Sequence, residues 1–447
     1  MCELSGTTGK DIAEQLLKSL LELGFSKEIL FARLLGFCTD GASSLQGIIN
    51  GALELFGALI NRSDLIKWHC MNHKMELAVH DAVQTTNKVS HFRMFMDTLY
   101  AYYSRSPKNC RLLHAASEEL GEQFRKIGKV FDVRWVSSSY NTVNAVFSLL
   151  PALTLQFRQA STDMTSPSKE RAKALGMAKK IQSFAFITEL ALLKDVLTTL
   201  KHLSLYLESR SASILDAKGH LDTTVQTLNA LKTADGLTLL EFRQQLAANG
   251  KFNGIEVSRT NDDENSFELM RLQFVQALLD NLLRRFPDRL LLDAGAVLSP
   301  SSWPDDRTER ALFGDREVVR MAGLCHLDSA KALGEFREYK NNTKVVGEVL
   351  SCLLNRIGII PISSAECERG FSCMNINNTD VRSCLKVETL CSLIFIKVNG
   401  PSPCQFKPDI YVAEWLKSGH HASSDAPTGK TSKIKTVADS AMAVLYK

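Results

Sequence analysis

From about residue 160 to 345, apolar residues recur at helical spacing almost without interruption, and this run limits the fold more than any other feature. Leu190, Leu192, Leu193, Val196, Leu197, Leu200, Leu203, Leu205 and Leu207 form one long amphipathic stretch. Leu215, Ala217, Leu221, Val225, Leu228 and Leu231 form a second. A third helix is predicted from Phe267 to Phe286, after an acidic loop at Asp262–Asn265. Period 3.6 puts such residues on one face, so each helix needs a partner to cover it. A Ser- and Thr-rich linker at 160–170 leads in, and Trp303 anchors the loop between Pro300 and Pro304. The carboxylates of this block sit in no motif and read as surface groups.

The segment before this block alternates strand and helix signals. A strand end is predicted at Met1–Ser5. Thr8 and Asp11 then form an N-terminal cap pair, and Ser26 caps a short helix. Leu34–Cys38 reads as an apolar strand that delivers Asp40 at its C-terminal end, before a helix running to about Leu59. A strand, a carboxylate, a turn and a helix is how α/β folds present an acid at a sheet edge; Asp is equally a good helix N-cap. Leu65–His69 is the next strand, followed by Cys70-x2-His73. That pair fits a packed Cys with a core or capping His. With Cys110 and His114 it also makes a four-ligand Cys-x2-His…Cys-x3-His zinc pattern with an unusually long gap. Residues 91–118 are helical with a break at Ser106–Pro107. Arg105, Lys108 and Arg111 cluster there beside Tyr102 and Tyr103, either as a solvated face or as a patch that positions phosphate. Val130 to Trp135 carries Asp132-x-Arg134-Trp135, then three serines and a helix.

After the block, Val345–Leu354 is a helix leading into Pro361–Leu385. Ser363-Ser364-Ala365-Glu366 has the spacing of a capping box, which gives Glu366 a structural task. Glu368 points to the other side of the same helix, with Phe371 expected to hold that face in the core. Val387, Leu390, Cys391, Ile394 and Val398 then form an amphipathic helix, and beyond Gly400 the apolar pattern thins. Trp415 and Leu416 are candidates to dock, and the tail from His420 is rich in Ser, Thr, Lys and Gly.

The run Ser364-Ala365-Glu366-Cys367-Glu368-Arg369-Gly370-Phe371-Ser372, followed by Arg382-Ser383-Cys384-Leu385, resembles the C-terminal block of hAT-superfamily DNA transposases. Thr39-Asp40-Gly41-Ala42-Ser43, Cys70-x2-His73 and Asp132-x-Arg134-Trp135 resemble three further motifs of that superfamily. The resemblance implies an α/β RNase H-like core, truncated at its N-terminal side and interrupted by a large all-α insertion, in a chain that is mostly helical. It divides the chain into a partial core at 1–159, the helical insertion at 160–345, the returning core with a dimerisation region at 346–400, and a largely flexible tail at 401–447. It casts Asp40 and Glu368 as remnant catalytic carboxylates and metal ligands, with His73 beside the scissile phosphate. It casts Trp135 as a stacking platform for a flipped base, with Arg134 pairing a core carboxylate or a phosphate. It casts Val387, Leu390, Ile394 and Val398 as a dimerisation surface.

The core of this family holds two metal ions with three carboxylates. The first of these belongs on a strand preceding Met1, so the chain is expected to bind DNA and self-associate without cutting DNA. No ion is expected to be held as the chain stands; Mg²⁺ or Mn²⁺ would serve if a complete carboxylate site existed. The Leu34–Cys38 strand is then expected to expose an unpaired edge. The wording from Trp68 to His73 and from Ser364 to Met374 is similar to domesticated vertebrate members, some described as SUMO-protein ligases, so SUMO machinery is a rival partner. A fragment of an active transposase is the other alternative. The net charge of +4 permits a nucleic-acid surface without demanding one. Eleven cysteines in no secreted-style framework fit reduced thiols in the nucleus or cytosol. No apolar run reaches the ~18 residues of a membrane span.

Overall fold

The computed structural model describes Leu4 and residues 6–47, 51–130, 135–286, 289–382 and 384–419. The chain falls into two compact units, Met1–Arg369 and Gly370–Lys447. The described residues of both are mostly helical, as the periodicity predicts.

The first unit opens with α1 (Gly9–Glu22), where the predicted Thr8–Asp11 pair forms a complete capping box. Ser26 caps α2 (Lys27–Arg33), accepting from the Ile29 amide. Strand β1 (Gly36–Thr39) begins two residues later than the apolar run suggested. The single helix expected after Asp40 is instead two short ones, α3 (Ser43–Gln46) and α4 (Ala52–Leu59). Strand β2 (Ile66–His69) pairs with β1 in parallel, Gly36 opposite Ile66 and Thr39 opposite His69. Gly36 is needed there because a Cβ would run into the Ile66 carbonyl. Ala13, Leu17, Leu30, Ala52, Phe56, Ile60 and Leu65 close a small core around this strand pair. The expected Met1–Ser5 strand lies outside the described residues, apart from Leu4, which is in no strand.

From α5 (Met71–Thr85) onward the chain builds one continuous larger core. Next come α6 (Asn87–Ser104) and α7 (Pro107–Glu119), with the predicted break at Ser106, whose hydroxyl caps α7. Helices α8 (Trp135–Ser148), α9 (Leu150–Thr162) and α10 (Ser168–Ile181) follow, so the polar linker shrinks to a short turn. The centre of the unit is α11 (Phe184–Glu208). Fifteen of its 25 residues are buried, so it is apolar nearly all round, which is how a helix enclosed by others reads.

Helices α12 (Ile214–Ala230) and α13 (Leu237–Asn249) pack beside it. A two-residue hairpin, β3 (Lys251–Phe252) with β4 (Ile255–Glu256), then leads to α14 (Asp263–Arg285). Residues Asp263–Asn265 are therefore helical rather than an acidic loop: Asp263 and Glu264 sit in the first turn, where they complement the helix dipole.

Two acids of this block are not surface groups, against the sequence expectation. Asp195 is buried and accepts from the amides of Thr238 and Leu239 at 2.9 and 3.1 Å, capping α13 from a distance. Glu189 is pushed up to about 7 by burial, opposed by Lys180 and Lys88. Arg271 is the largest fully buried side chain and closes the end of α12, donating to the Leu231 carbonyl at 2.7 Å and to Asp235 at 2.8 Å. Trp303 anchors its loop as predicted, donating to the Val297 carbonyl at 2.8 Å and packing edge-on against Phe336 and Tyr339.

Five more helices complete this part: α15 (Arg289–Val297), α16 (Arg307–Leu312), α17 (Asp315–Leu324), α18 (Ser329–Asn341) and α19 (Glu348–Gly358). The unit boundary then falls inside α20 (Ala365–Asn377). The second unit continues with α21 (Val387–Asn399) and α22 (Pro408–Lys417). Phe371 is 56% exposed there, so it does not hold the Glu368 side of α20 in a core. No helix among the described residues is long and apolar enough to cross a membrane.

Candidate functional site: the C-terminal end of the strand pair

Both parallel strands end at the same place, and the chemistry-bearing residues gather there. Asp40 follows β1 directly and is exposed. Its Oδ1 accepts from the Ala42 amide at 3.1 Å, which makes a local turn. It is not a helix N-cap: that position of α3 is Ala42, which offers no side-chain acceptor. Gly41 has φ +83°, and a Cβ on it would collide with the His69 ring, so turn and imidazole fit only with glycine between them.

His69 ends β2 and His73 lies in the first turn of α5, their rings 5.5 Å apart. Burial holds His69 down at about 4, helped by the positive charge of Lys74 and by His73. Its ring donates to the Asp40 backbone, and its buried Nε2 meets no protein partner. The imidazole is therefore neutral at ordinary pH. The sequence reading assigned His69 no role; the signal was there in the His-x3-His spacing of 69 and 73, which straddles a strand end and a helix start.

Between the two histidines, Cys70 is buried at the N-terminus of α5. The Cys38 thiol donates to its sulfur, the Ser364 amide donates at 3.3 Å, and the His73 amide also points to it. These donors bring the Cys70 thiol down to about 5 against the opposing effect of burial. Cys38 moves the other way, raised by its bond to Cys70 and by burial. The zinc pattern is not assembled. Cys110 packs against the larger core, and His114 pairs with Glu118 at 3.4 Å. Among the described residues, no group of three or more His, Cys, Asp or Glu is placed to hold a metal ion.

The C-terminal carboxylate segment returns to this same point. The Ile362 carbonyl accepts from the Met71 amide at 3.0 Å and from the Trp68 indole at 3.3 Å. Cys367 lies near enough to help raise the Cys38 thiol, and its own thiol is raised by burial first, then by the Glu366 and Glu368 carboxylates and Cys70. Glu368, the next residue, is half-buried.

The predicted capping box does not form. Ser363 donates to the Leu207 carbonyl at 2.6 Å, and Glu366 accepts from Arg210 at 2.7 Å and Arg369 at 2.6 Å. Those two guanidiniums, Arg369 first, hold Glu366 at about 2. Arg369 also donates to the Glu208 carbonyl at 2.8 Å. A second link runs through Asn72, which donates to Glu208 at 3.2 Å and accepts from Ser204 at 3.0 Å. The end of α11 is thus clasped by the start of α5 and the start of α20.

Residues 340–399 match the hAT family C-terminal dimerisation region. The match covers 60 of the chain's 447 residues and supports membership of the hAT superfamily and self-association. Within the dimerisation region, the residues singled out on α21 face both ways. Leu390 is buried, Ile394 and Val398 are half-buried, and Val387 is 40% exposed. Phe395 and Ile396, on the same helix, are 49% and 64% exposed, and the sequence reading did not choose them.

The basic cluster also sorts itself. Arg105, Lys108 and Arg111 are all exposed, but Tyr103 is buried with its hydroxyl on Gln156, and Tyr102 is half-buried under Lys173. Those two tyrosines serve the core and are not a stacking surface. Arg134 and the side chain of Trp135 lie outside the described residues.

Proposed function

We propose that this chain is a nuclear, self-associating DNA-binding protein derived from a hAT transposase, in which the end of the β1–β2 pair is the remnant of an RNase H-like centre. The observation that carries the reading is the closure at that strand end. Asp40, His69 and His73 meet there with the start of α20, which the Ile362 carbonyl and the Ser364 amide tie to Met71 and Cys70. Asp40 and Glu368 are the residues that would serve a divalent ion. One oxygen of Asp40 holds the Ala42 amide, and among the described residues neither carboxylate belongs to a group of three side chains placed to hold a metal. In this reading His73 donates to a phosphate oxygen and Trp135 stacks on an unpaired base.

The test uses the full chain with hairpin-forming terminal-repeat DNA and a plain duplex of equal length. Fluorescence anisotropy should show tighter binding to the hairpin. Trp135→Ala should weaken that binding by ~1–3 kcal/mol and barely change duplex binding. Equal losses on both would make Trp135 a structural residue. Incubation with Mg²⁺ or Mn²⁺ should leave the hairpin intact; nicking that vanishes in Glu368→Gln would overturn the non-cutting part of the reading.

A further inference from the structure

The turn between α9 and α10 meets the junction of α6 and α7, and basic side chains collect there. Tyr102, at the end of α6, ties the elements together. Its carbonyl accepts from the Asn109 side chain of α7 at 3.1 Å, and its ring lies 5.2 Å from that of Phe157 on α9. The Lys173 ammonium of α10 is 5.6 Å from the same ring. The Arg171 guanidinium reaches back to the Ser166 carbonyl of the α9–α10 turn at 2.6 Å. Asp163 of that turn is held down at about 2 by its bonds to Thr165 and Ser166 first, and last by the positive charge of Lys108 on α7. Lys169 stands one turn before Lys173, and Arg111 one turn after Lys108, so each shares its neighbour's side of the helix. Arg105, the cap of α6, completes the group. Apart from half-buried Arg171, all six cations are exposed.

The acids on these segments, 105–111 and 163–173, are Asp163 and Glu170. Asp163 gives its oxygens to the Thr165 amide and hydroxyl and to the Ser166 hydroxyl. Glu170 sits in the first turn of α10, where the helix dipole favours it. The ion pair of α7 lies at its other end, between His114 and Glu118. The surface therefore keeps a positive excess.

We propose that this surface binds the phosphate backbone of a nucleic-acid duplex without reading its bases. Exposed cations that displace the counterions of a polyanion are the main source of sequence-independent binding. Here they come from the α6 cap, α7 and α10, so the charge is spread along a surface rather than gathered at a point, as a regularly charged duplex requires. A single strand would gain from stacking on exposed rings, but the two tyrosines beside these cations are turned inward, Tyr103 onto Gln156 and Tyr102 onto Phe157. The inference rests on the nucleic-acid reading above and adds to it a second contact, made by other elements than the strand end.

The experiment measures the salt dependence of anisotropy for a labelled plain duplex and for the hairpin, on the full chain, with wild type, Lys108→Gln, Lys169→Gln, the double variant and Lys331→Gln. Lys331 is exposed on α18 and is the control. Each single variant of the surface should make the slope of log K against log salt shallower by roughly 0.9, and the double variant by roughly twice that, whatever the duplex sequence. Lys331→Gln should leave the slope unchanged. An unchanged slope in the double variant would overturn the assignment. An equal change in Lys331→Gln would also overturn it, since general surface charge would then do the work. Polyglutamate that displaces the duplex as readily as unlabelled duplex of equal charge would make the partner an acidic protein segment instead. Wild type that binds the hairpin but not the duplex would sink this surface and leave the strand-end reading. Duplex binding that depends on Lys108 and Lys169, with no preference for the hairpin, would sink that reading and leave the surface standing.

Discussion

Single residues in this protein carry tasks that their type does not announce. Glu189 reads as one more polar residue on an amphipathic helix, yet burial raises its carboxyl from 4.5 to about 7. The folded state therefore holds this proton more tightly than the unfolded chain. Stability from the group is fully present below about 4.5 and is lost as pH rises through about 7. Glu189→Gln keeps the shape and removes the titration. The variant should match wild type at pH 5 and be more stable at pH 8 by roughly 2 kcal/mol, an upper figure given the partial hydration of such sites. Urea midpoints at the two pH values check this, and a variant less stable than wild type at pH 8 would show that Glu189 works as an ion-pair partner of Lys180 or Lys88. Glu366 is the opposite case. It is exposed, and two guanidiniums hold it ionised.

At the scale of the element, amphipathic spacing marks a helix without saying what covers its apolar side. The stripe on α21 that periodicity selects includes Leu390, which is buried, while Phe395 and Ile396 remain exposed. Inside a region matching a dimerisation family, exposed aromatic and β-branched residues on a helix are the surface that a second copy would cover. Leu390→Asp should therefore unfold or loosen the second unit, because it buries an unpaired charge. Ile396→Asp should leave it folded and reduce self-association. Circular dichroism with light scattering separates the outcomes: a folded Leu390→Asp monomer beside an Ile396→Asp dimer would reverse the assignment of the two faces.

At the scale of the whole chain, the strand pair near the start is completed by a segment more than 290 residues further on, through Trp68, Met71 and Cys70. Contacts of such separation form late and reward the entropy of closing a very long loop. Ile362 is 2% exposed, and its carbonyl holds both the Trp68 indole and the Met71 amide. Ile362→Ala should cost about 2–5 kcal/mol. Hydrogen exchange should show lost protection at the Met71 amide before loss elsewhere in α5. Uniform loss across α5 and α11 would mean that the return segment and the large core unfold as one body.

The helical body was legible in the sequence, since a 3.6-residue period sustained over some 180 residues admits little else. Local caps that depend on three neighbouring residues were legible too: Thr8 with Asp11, and Ser106 at the start of α7. The motif positions at Asp40, His73 and Glu368 could be marked, because a motif is a local pattern. What surrounds them could not. Ser363-Ser364-Ala365-Glu366 has perfect capping spacing, but Arg210 and Arg369 bind the Glu366 carboxylate and the Leu207 carbonyl takes the Ser363 hydroxyl. Nothing near residue 363 in the chain reports that α11 ends beside it. The same is true of the thiols around Cys70 and of Asp195 at the start of α13, where a donor or acceptor found its partner across the fold. The sequence determined which residues have the capacity to cap, ionise or stack. Only the tertiary structure decided which of the competing partners each one met, because a buried polar group pairs with whatever the packing of distant helices brings within reach.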